Sequence, residues 1–370
     1  MEVNKDISAD TAVFTLVPGD VNHLFRRSGL KGNNLSIFRY NGEQAAVSSA
    51  SEGFKALAES PVFPKIAKDL LEPDIKISFR RVENFAAIQQ YYAFFSSKDS
   101  SVLIQFTNSQ GEIILMLFND EKAFLKWWTG VYASEGMDNY KSIFPDILDI
   151  EVLVCILHSL DIYKRYYMES MFAYRNIGEV SISTTDFVKL LKQSLASGDI
   201  RWSLSSLFKV VPALRSGKLS LKQEHIKKLE ELGFVIGDGK LILTMADKGK
   251  AMGNEFLTSW IGSIGLEVSS LVNGQEKTLS QMFMASTAFT NHMVILEAED
   301  GMNYRFKHEA LKRDAVASTL QKWINTLYQH SSEDSVPPPV NNDRKSKFCG
   351  HCGSKLYPGK KFCTNCGAKL

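Results

Sequence analysis

The sequence contains no long apolar run. Nowhere in its 370 residues does a stretch approach the ~18 apolar residues that a membrane-spanning helix requires. The first residues, Met-Glu-Val-Asn-Lys-Asp, also lack the basic start and apolar core of a secretory signal. We therefore expect a soluble protein without a membrane span, located in a reducing compartment, the cytoplasm.

The motifs of common enzyme classes are also missing. The chain has no glycine-rich phosphate loop, no His-Glu-x-x-His, no Gly-x-Ser-x-Gly and no dense acidic cluster suited to magnesium. Its seven histidines are scattered along the sequence. These absences favour a protein that is not an enzyme and has no catalytic residues. Catalytic groups that meet only in the folded chain would leave no such pattern.

Cysteine is scarce and unevenly placed. Cys155 lies in an apolar run, and the other four of the five cysteines form two Cys-x-x-Cys pairs: Cys349, Cys352, Cys363 and Cys366. Two residues between cysteines let the backbone turn with both sulfurs facing one ion, and two such turns complete a tetrahedral shell. This pattern predicts one Zn²⁺ held by four thiolates. With no open position for water, the zinc is expected to be structural.

Spacing alone leaves other uses of these thiols open. They could form two disulfides, which suits an oxidising compartment, or act as a redox dithiol. His351 lies inside the first pair, and with four thiolates present we expect it to face solvent. The repeated Phe-Cys-x-x-Cys-Gly of residues 348–370 resembles the zinc-ribbon family, in particular the small ribbons that end many bacterial proteins. The resemblance covers no other part of the chain.

The segment before the cysteines is poor in apolar residues. Residues 331–347 include three consecutive prolines and many polar side chains, so they cannot bury enough surface to fold. We predict a flexible, Pro-rich linker that tethers the ribbon. Basic residues dominate 341–370 although the whole chain carries a net charge of only +2. This tail can contact an anionic partner, or its charge serves solubility alone.

Two parts of the chain show the same order of predicted elements. Each has two strand-like segments, a hairpin with a glycine-containing turn, and a helix that contains tryptophan. In the first part, residues 1–140, these segments are 75–79, 88–92, 102–106, 113–118 and 120–132. In the second part, residues 258–330, they are 266–268, 279–283, 293–298, 303–306 and 310–328. The repetition predicts two α+β halves related by duplication about a pseudo-twofold axis. The alternative is two independent uses of a common arrangement.

A helical region separates the two halves. Apolar residues recur at helical spacing over 146–172, which predicts a long connecting helix within residues 141–183. Residues 184–257 follow as a separate segment. Its predicted elements are helices at 185–196, 203–214 and 221–232 and a hairpin of 234–236 and 240–244.

Local signals mark the ends of the third of these helices. Ser220 and Gln223 form a predicted capping box, and Gly233 stands where the helix should end. The order of elements, with Leu-Thr and then Asp-Lys-Gly-Lys after the turn, resembles winged-helix domains. The resemblance implies that 221–232 is a recognition helix and the hairpin is a wing.

A winged helix implies candidate contacts to nucleic acid. The polar and basic residues in the implied positions are Lys222, Gln223, His225, Lys227, Lys228 and, on the wing, Lys240. Glu224, Glu230 and Glu231 lie on the same helix and would oppose phosphates. Because many winged helices bind proteins or are purely structural, a DNA contact is one of three alternatives.

Together these patterns predict an α+β protein with an inserted winged-helix-like segment and a tethered zinc ribbon. We expect a non-enzymatic cytosolic adaptor or chaperone that binds a protein partner through its body and docks through the ribbon. The two-halved mixed body resembles the cytosolic chaperones of type VII secretion substrates. The alternative is a nucleic-acid-binding transcriptional regulator that uses the winged-helix-like segment and the ribbon. The sequence indicates neither the partner nor the oligomeric state.

Overall fold

The computed structural model describes most of the chain before the linker. The described residues are 11–40, 49–83, 87–96, 99–211, 214, 221–239, 241–257, 263–299 and 303–333. Residues 1–328 form one compact unit, and of the second unit, 329–370, only 329–333 are described. The zinc ribbon and nearly all of the predicted linker therefore lie outside the described residues.

A ten-stranded antiparallel sheet forms the centre of the first unit. Its strands are β1 (Thr11–Leu16), β2 (Ile75–Glu83), β3 (Ala87–Ser96), β4 (Asp99–Thr107), β5 (Ile113–Phe118), β6 (Ile147–Asp149), β10 (Ile264–Val272), β11 (Gln275–Ser286), β12 (Asn291–Glu299) and β13 (Asn303–Leu311). They lie side by side in the order β1-β5-β4-β3-β2-β10-β11-β12-β13-β6. Each four-strand run, β2 to β5 and β10 to β13, is an up-and-down meander in which successive strands pair.

The two predicted halves meet at the middle of this sheet. The first meander is followed by helix α4 (Glu121–Tyr132) and the second by α10 (Arg313–Glu333), so the predicted order of elements occurs in both. Strands β2 and β10 pair antiparallel, with Ile75 opposite Ser270 and Arg81 opposite Ile264. This central pair relates the halves by an approximate twofold rotation. The predicted α+β class is confirmed.

Helices cover both faces of the sheet. On one face, Ile77 and Phe79 of β2 and Leu266 of β10 share a core with Trp128 of α4 and Leu320 of α10. On the other, α1 (Asp20–Ser28), α2 (Glu52–Glu59) and α3 (Phe63–Leu71) cover the first half. Helix α5 (Ile150–Phe172) and the helices between it and β10 cover the second half. Alternate side chains of each strand thus enter opposite cores, as the pleat requires.

The predicted connecting helix begins later than expected. The periodicity placed its start at residue 146, but residues 147–149 form β6 and pair with Arg305–Lys307 of β13. Ile147 is exposed and Leu148 is buried, which is the alternation of a strand. The prediction was wrong there because three residues are too few for periodicity to separate a strand from a first helical turn.

The segment after α5 contains helices and a small sheet. Its elements are β7 (Ser181–Ser183), α6 (Thr184–Ala196), α7 (Ser203–Val210), α8 (Gln223–Glu231), β8 (Val235–Gly237), β9 (Ile242–Met245) and α9 (Asp247–Glu255). The three short strands pair in the order β7-β9-β8. The predicted helices and hairpin are present, and β7 adds a third strand to the hairpin.

Two helix ends in this region differ from the prediction. Helix α7 ends at Val210 instead of 214, because Pro212 disfavours helical geometry at Val211, whose ψ is 73°. Helix α8 begins at Gln223 instead of 221, so Gln223 is not the third residue of a capping box, and Ser220 lies outside the described residues. Helix α8 ends at Glu231, one residue before the predicted end, and Gly233 follows it as predicted, at φ +76°.

The end of α7 lies directly on the central sheet. A Cβ placed on Gly265 of β10 would sit 2.0 Å from the carbonyl oxygen of Val210. Glycine is therefore required at this position for α7 to approach the strand closely. The same hydrophobic core contains Val210 and Leu207 of α7 together with Phe283 of β11, so this segment packs as part of the first unit.

Helix α10 is longer than predicted. It continues to Glu333, beyond the predicted end at residue 328 and into the segment predicted as linker. Nothing in the sequence before the first of the three prolines, Pro337, prevents the helix from continuing.

Candidate functional site

Helix α5 is buried over its first half and exposed over its last turns. Every residue from Val152 to Lys164 is buried, and from Arg165 onward most are exposed. The early turns are apolar on all sides, which suits a helix enclosed between the sheet and α7, α8 and α9. The later turns extend beyond this enclosure.

The exposed end of α5 carries large apolar side chains. We call this surface the α5 tip, formed by Tyr167, Met168, Met171, Phe172 and Tyr174. The last three are 51%, 76% and 99% exposed, respectively. Met168 lies three and four residues before Met171 and Phe172, so these side chains share one face of the helix. Clustered exposed apolar residues of this kind mark interaction surfaces in soluble proteins.

Local interactions maintain the helix at this tip. Arg165 Nε lies 2.8 Å from Glu169 Oε1, one turn apart, and the Tyr166 hydroxyl donates to the Ser181 carbonyl at 2.8 Å. Tyr174 has a positive φ of 54°, which reverses the chain after the helix. Its ring is thereby left in solvent. The apolar side chains of the tip thus lie at the exposed end of a helix whose first half is buried.

Helix α8 holds most of the predicted nucleic-acid-binding residues. Lys222, Gln223, Lys227 and Lys228 are exposed, His225 is half-buried, and Lys240 lies outside the described residues. His225 Nδ1 accepts the backbone N–H of Lys222 at 3.1 Å, so this side chain caps the helix. That cap replaces the predicted one.

Acidic neighbours offset the charge of this helix. Lys222 Nζ lies 3.2 Å from Glu224 Oε1, and Lys228 Nζ lies 3.0 Å from Glu231 Oε2. The hydrogen bond from Lys228 lowers the pKa of Glu231, which keeps that carboxylate ionised. The surface of α8 thus alternates in sign. It lacks the positive excess on which binding to a phosphate backbone depends.

A buried polar network crosses the second half of the sheet. His292 of β12 lies between Glu255 of α9, with 2.8 Å from Nε2 to Oε1, and His308 of β13, with 2.9 Å from Nδ1 to Nε2. Thr287 and Tyr140 donate hydroxyl hydrogens to the same carboxylate. With Glu255 ionised, His292 donates through Nε2, and one hydrogen is shared between His292 Nδ1 and His308 Nε2. The chain of hydrogen bonds then ends at His308 Nδ1, which has no partner among the described residues.

The pKa values in this network follow from burial and hydrogen bonding. Burial raises the pKa of Glu255, but hydrogen bonds from His292, Tyr140 and Thr287 outweigh it and leave the pKa lowered. Burial, then the nearby His292, lower the pKa of His308 to about 3. Burial and the bond to Glu255 raise the pKa of Tyr140. The network is an enclosed set of partners that joins α9 to two strands.

The sequence gives little sign of this network, because its members lie far apart in the chain. One signal was available in the predicted hairpin. Val294 is opposite His308, which places His292 and His308 diagonally across two paired strands. No sequence pattern pointed to Glu255, because α9 contacts β12 only once the whole second half has folded.

The edges of the sheet offer little free backbone among the described residues. Strand β1, at one edge, is six residues long, and Gly53 of α2 lies against the carbonyl oxygen of Thr15. At the other edge β6 pairs with part of β13, and the Asp146 carbonyl accepts the N–H of His308 beyond it. Short and covered edges are how proteins avoid unwanted strand pairing. They offer an extended peptide little to pair with.

The four cysteines predicted to ligate zinc lie outside the described residues. Within the described ranges, no group of histidine, cysteine and acidic side chains is arranged to hold a metal ion. The remaining cysteine, Cys155, is buried, and burial raises the pKa of its thiol to about 12. Of the helices described, none is both long and apolar enough to cross a bilayer.

Comparison with known proteins identifies the C-terminal segment. Residues 348–370 match the family model of the zinc-ribbon domain, so this segment is a zinc ribbon and its match implies zinc binding. No curated protein matches the chain. Among solved structures, one match is the Mycobacterium tuberculosis type VII secretion system chaperone EspG5 in complex with a PE25–PPE41 dimer. It has a TM-score of 0.35 and 9% identity, over 83% of this chain and 94% of that one.

Proposed function

We propose that this protein is a non-enzymatic cytosolic adaptor or chaperone that binds a protein partner through the α5 tip. The single observation that supports the proposal is the ordered, exposed apolar face formed by Met168, Met171 and Phe172 at the end of a rigidly packed helix. Methionine side chains adapt to different apolar surfaces, and a projecting helix end fits a helical partner or an apolar groove.

The zinc ribbon supplies the second attachment in this proposal. One structural Zn²⁺, held by Cys349, Cys352, Cys363 and Cys366, would keep the small ribbon folded, because four thiolates suit zinc and leave no position for substrate. A reducing compartment keeps cysteine thiols free of disulfides and so available to zinc, which supports the cytosolic assignment. The linker lets the ribbon reach a second site while the tip is engaged.

Affinity capture with matched variants tests this proposal. The tip variant carries Met171→Gln and Phe172→Gln. The control carries Ile236→Gln and Leu241→Gln, which remove two apolar side chains of similar exposure, 62% each, from the region of the β8–β9 hairpin. We expect proteins recovered with the unaltered chain and the control to fall at least tenfold with the tip variant. Melting temperatures should agree among all three proteins.

Two outcomes would contradict the proposal. One is an unchanged set of captured proteins with the tip variant, and the other is no specific capture by the unaltered chain. A further chain that ends at residue 333, the last residue of α10, separates the two attachments. It should keep the partners that depend on the tip and lose those that depend on the ribbon.

The nucleic-acid alternative has its own test. A gel shift with generic duplex DNA at low salt, at micromolar protein, compares the unaltered chain with Lys222→Glu, Lys227→Glu and Lys228→Glu combined. From the balanced charges on α8 we expect no shift with either protein. A shift that the triple variant abolishes would support the regulator and count against the adaptor.

A further inference from the structure

The methionines of this chain divide sharply by exposure. The chain has 11 methionines, and all but Met1 and Met302 lie within the described residues. Met137, Met168 and Met171 are 51%, 36% and 51% exposed, respectively. The other described methionines are each at most 4% exposed: Met116, Met245, Met252, Met282, Met284 and Met293. Two of the three exposed methionines therefore lie one helical turn apart on the α5 tip.

Met168 and Met171 lie on the side of α5 that faces away from the body. Tyr166 and Ser170 are the half-buried positions of these turns, and the Tyr166 hydroxyl donates to the Ser181 carbonyl at 2.8 Å. With about 100° between successive residues, Met168 and Met171 lie roughly 140–160° around the helix axis from Tyr166. Their side chains are therefore open to reagents in solution.

Exposed thioethers are the sulfur groups that an oxidant meets first in the described part of the chain. Cys155 is buried, and burial raises the pKa of its thiol to about 12, so it is neither accessible nor ionised. The buried methionines are shielded by the cores around them. Exposure thus directs oxidation to the α5 tip and to Met137.

We propose that Met168 and Met171 form a reversible oxidation site, at which peroxides convert their thioethers to sulfoxides and make the α5 tip polar. In each oxidation an S–O bond forms as the O–O bond of hydrogen peroxide breaks, and the second oxygen leaves as water. The sulfur loses two electrons, which the peroxide gains. Methionine sulfoxide reductases reverse the change with two thiols, which end as a disulfide while the oxygen leaves as water.

Oxidation at the tip changes the property on which its apolar contacts depend. A sulfoxide turns a flexible apolar side chain into a polar one, which disrupts interfaces rich in methionine. Phe172 and Tyr174 cannot react in this way, so Met168 and Met171 carry the whole change. The resulting loss of a protein partner rests on the proposed function of the tip, whereas the oxidation itself does not.

Treatment of the full-length protein with hydrogen peroxide tests the proposal by two readouts that need no partner. Peptide mass spectrometry follows the gain of one oxygen at each methionine, and retention on a phenyl resin reports the apolar surface. The variant with Met168→Leu and Met171→Leu keeps the size and apolarity of the tip without its sulfur. Met137→Leu is the matched control, because Met137 is as exposed as Met171 and lies outside α5. All three proteins keep the ribbon cysteines, and thermal melts verify folding.

We expect Met168 and Met171 to oxidise on the order of tenfold faster than the buried Met116 and Met293. Retention should fall in the unaltered chain and in Met137→Leu, return after treatment with the reductases, and fall much less in the double variant. Tip methionines that oxidise no faster than the buried ones would overturn the site.

The retention measurements can overturn the rest of the proposal. Retention unchanged by oxidation, or an equal fall in the double variant, would overturn the change in polarity at the tip. A fall that the reductases do not restore would overturn reversibility. Because neither readout involves a partner, a failed affinity capture leaves this proposal standing, and failure of these readouts leaves the capture result standing.

Discussion

Single ionisable residues in this protein make stability depend on pH. His308 is 3% exposed and its pKa is lowered to about 3, whereas a histidine in the unfolded chain titrates near 6.5. Between these values the unfolded chain binds a proton that the folded protein does not. The contribution of neutral His308 to the free energy of unfolding is therefore fully present above pH 6.5 and is lost as the pH falls toward 3. His158 acts in the same direction, with a pKa of about 4.

Replacement of His308 by glutamine should reduce this dependence. The glutamine amide can donate to His292 Nδ1 or accept from it, so the variant keeps the hydrogen bond and loses the titrating group. Urea unfolding at several pH values should show that, from pH 6 to pH 4, the variant loses stability less steeply, by about 1.4 kcal/mol per pH unit. Above pH 7.5 the two slopes should coincide. Identical slopes at low pH would contradict a buried neutral His308.

Individual elements depend on close backbone contacts that no pattern of hydrophobicity reveals. Helix α7 can lie close to the sheet because Gly265 has no side chain. In the same way, α9 can lie close to α5 because Gly253 has no Cβ, which would otherwise lie 2.4 Å from the Tyr163 ring. Glycines in a strand and in a helix normally weaken those elements. Here they allow the helices to pack at short distance.

The two positions Gly265 and Gly130 should respond oppositely to alanine. In Gly265→Ala the new Cβ meets the Val210 carbonyl, so the end of α7 must move, at a cost of roughly 1–3 kcal/mol or more. In Gly130→Ala, within α4, the Cβ meets nothing within 4 Å, and helix propensity should add up to about 1 kcal/mol. Urea midpoints of the two variants measure both effects. Equal stability of the two variants would contradict the close approach of α7.

Elements with strong local signals could be predicted from the sequence, and their long-range partners could not. The hairpins and α4 follow from alternation, glycine turns and a helix cap at Asp120. The pairing of β2 with β10 has no local signal, because it joins strands from opposite ends of the body. Likewise, helical periodicity over α5 does not show where its contacts with the rest of the body end. The exposure of Phe172 and Tyr174 could therefore not be predicted from the sequence. The zinc ribbon of residues 348–370 was predictable because the spacing of its cysteines is itself the motif.

At the scale of the whole molecule, the described body and the ribbon belong to different compact units. We expect about one zinc per chain, lost when any of Cys349, Cys352, Cys363 or Cys366 is changed to serine. Because a flexible linker is predicted between them, chelation should unfold the ribbon and leave the melting temperature of the body nearly unchanged. Metal analysis and calorimetry with and without a chelator measure both. A large fall in that melting temperature would show that the ribbon stabilises the body.

The central pairing of β2 with β10 also determines the order in which the sheet can form during synthesis. Strands β2 to β5 can pair with one another once residue 118 has left the ribosome, but the other edge of β2 must wait until residues 264–272 are made. Over that interval the growing chain presents an unpaired strand edge, which is a template for pairing with other nascent chains. Only the pairing with β10 closes that edge in the folded protein.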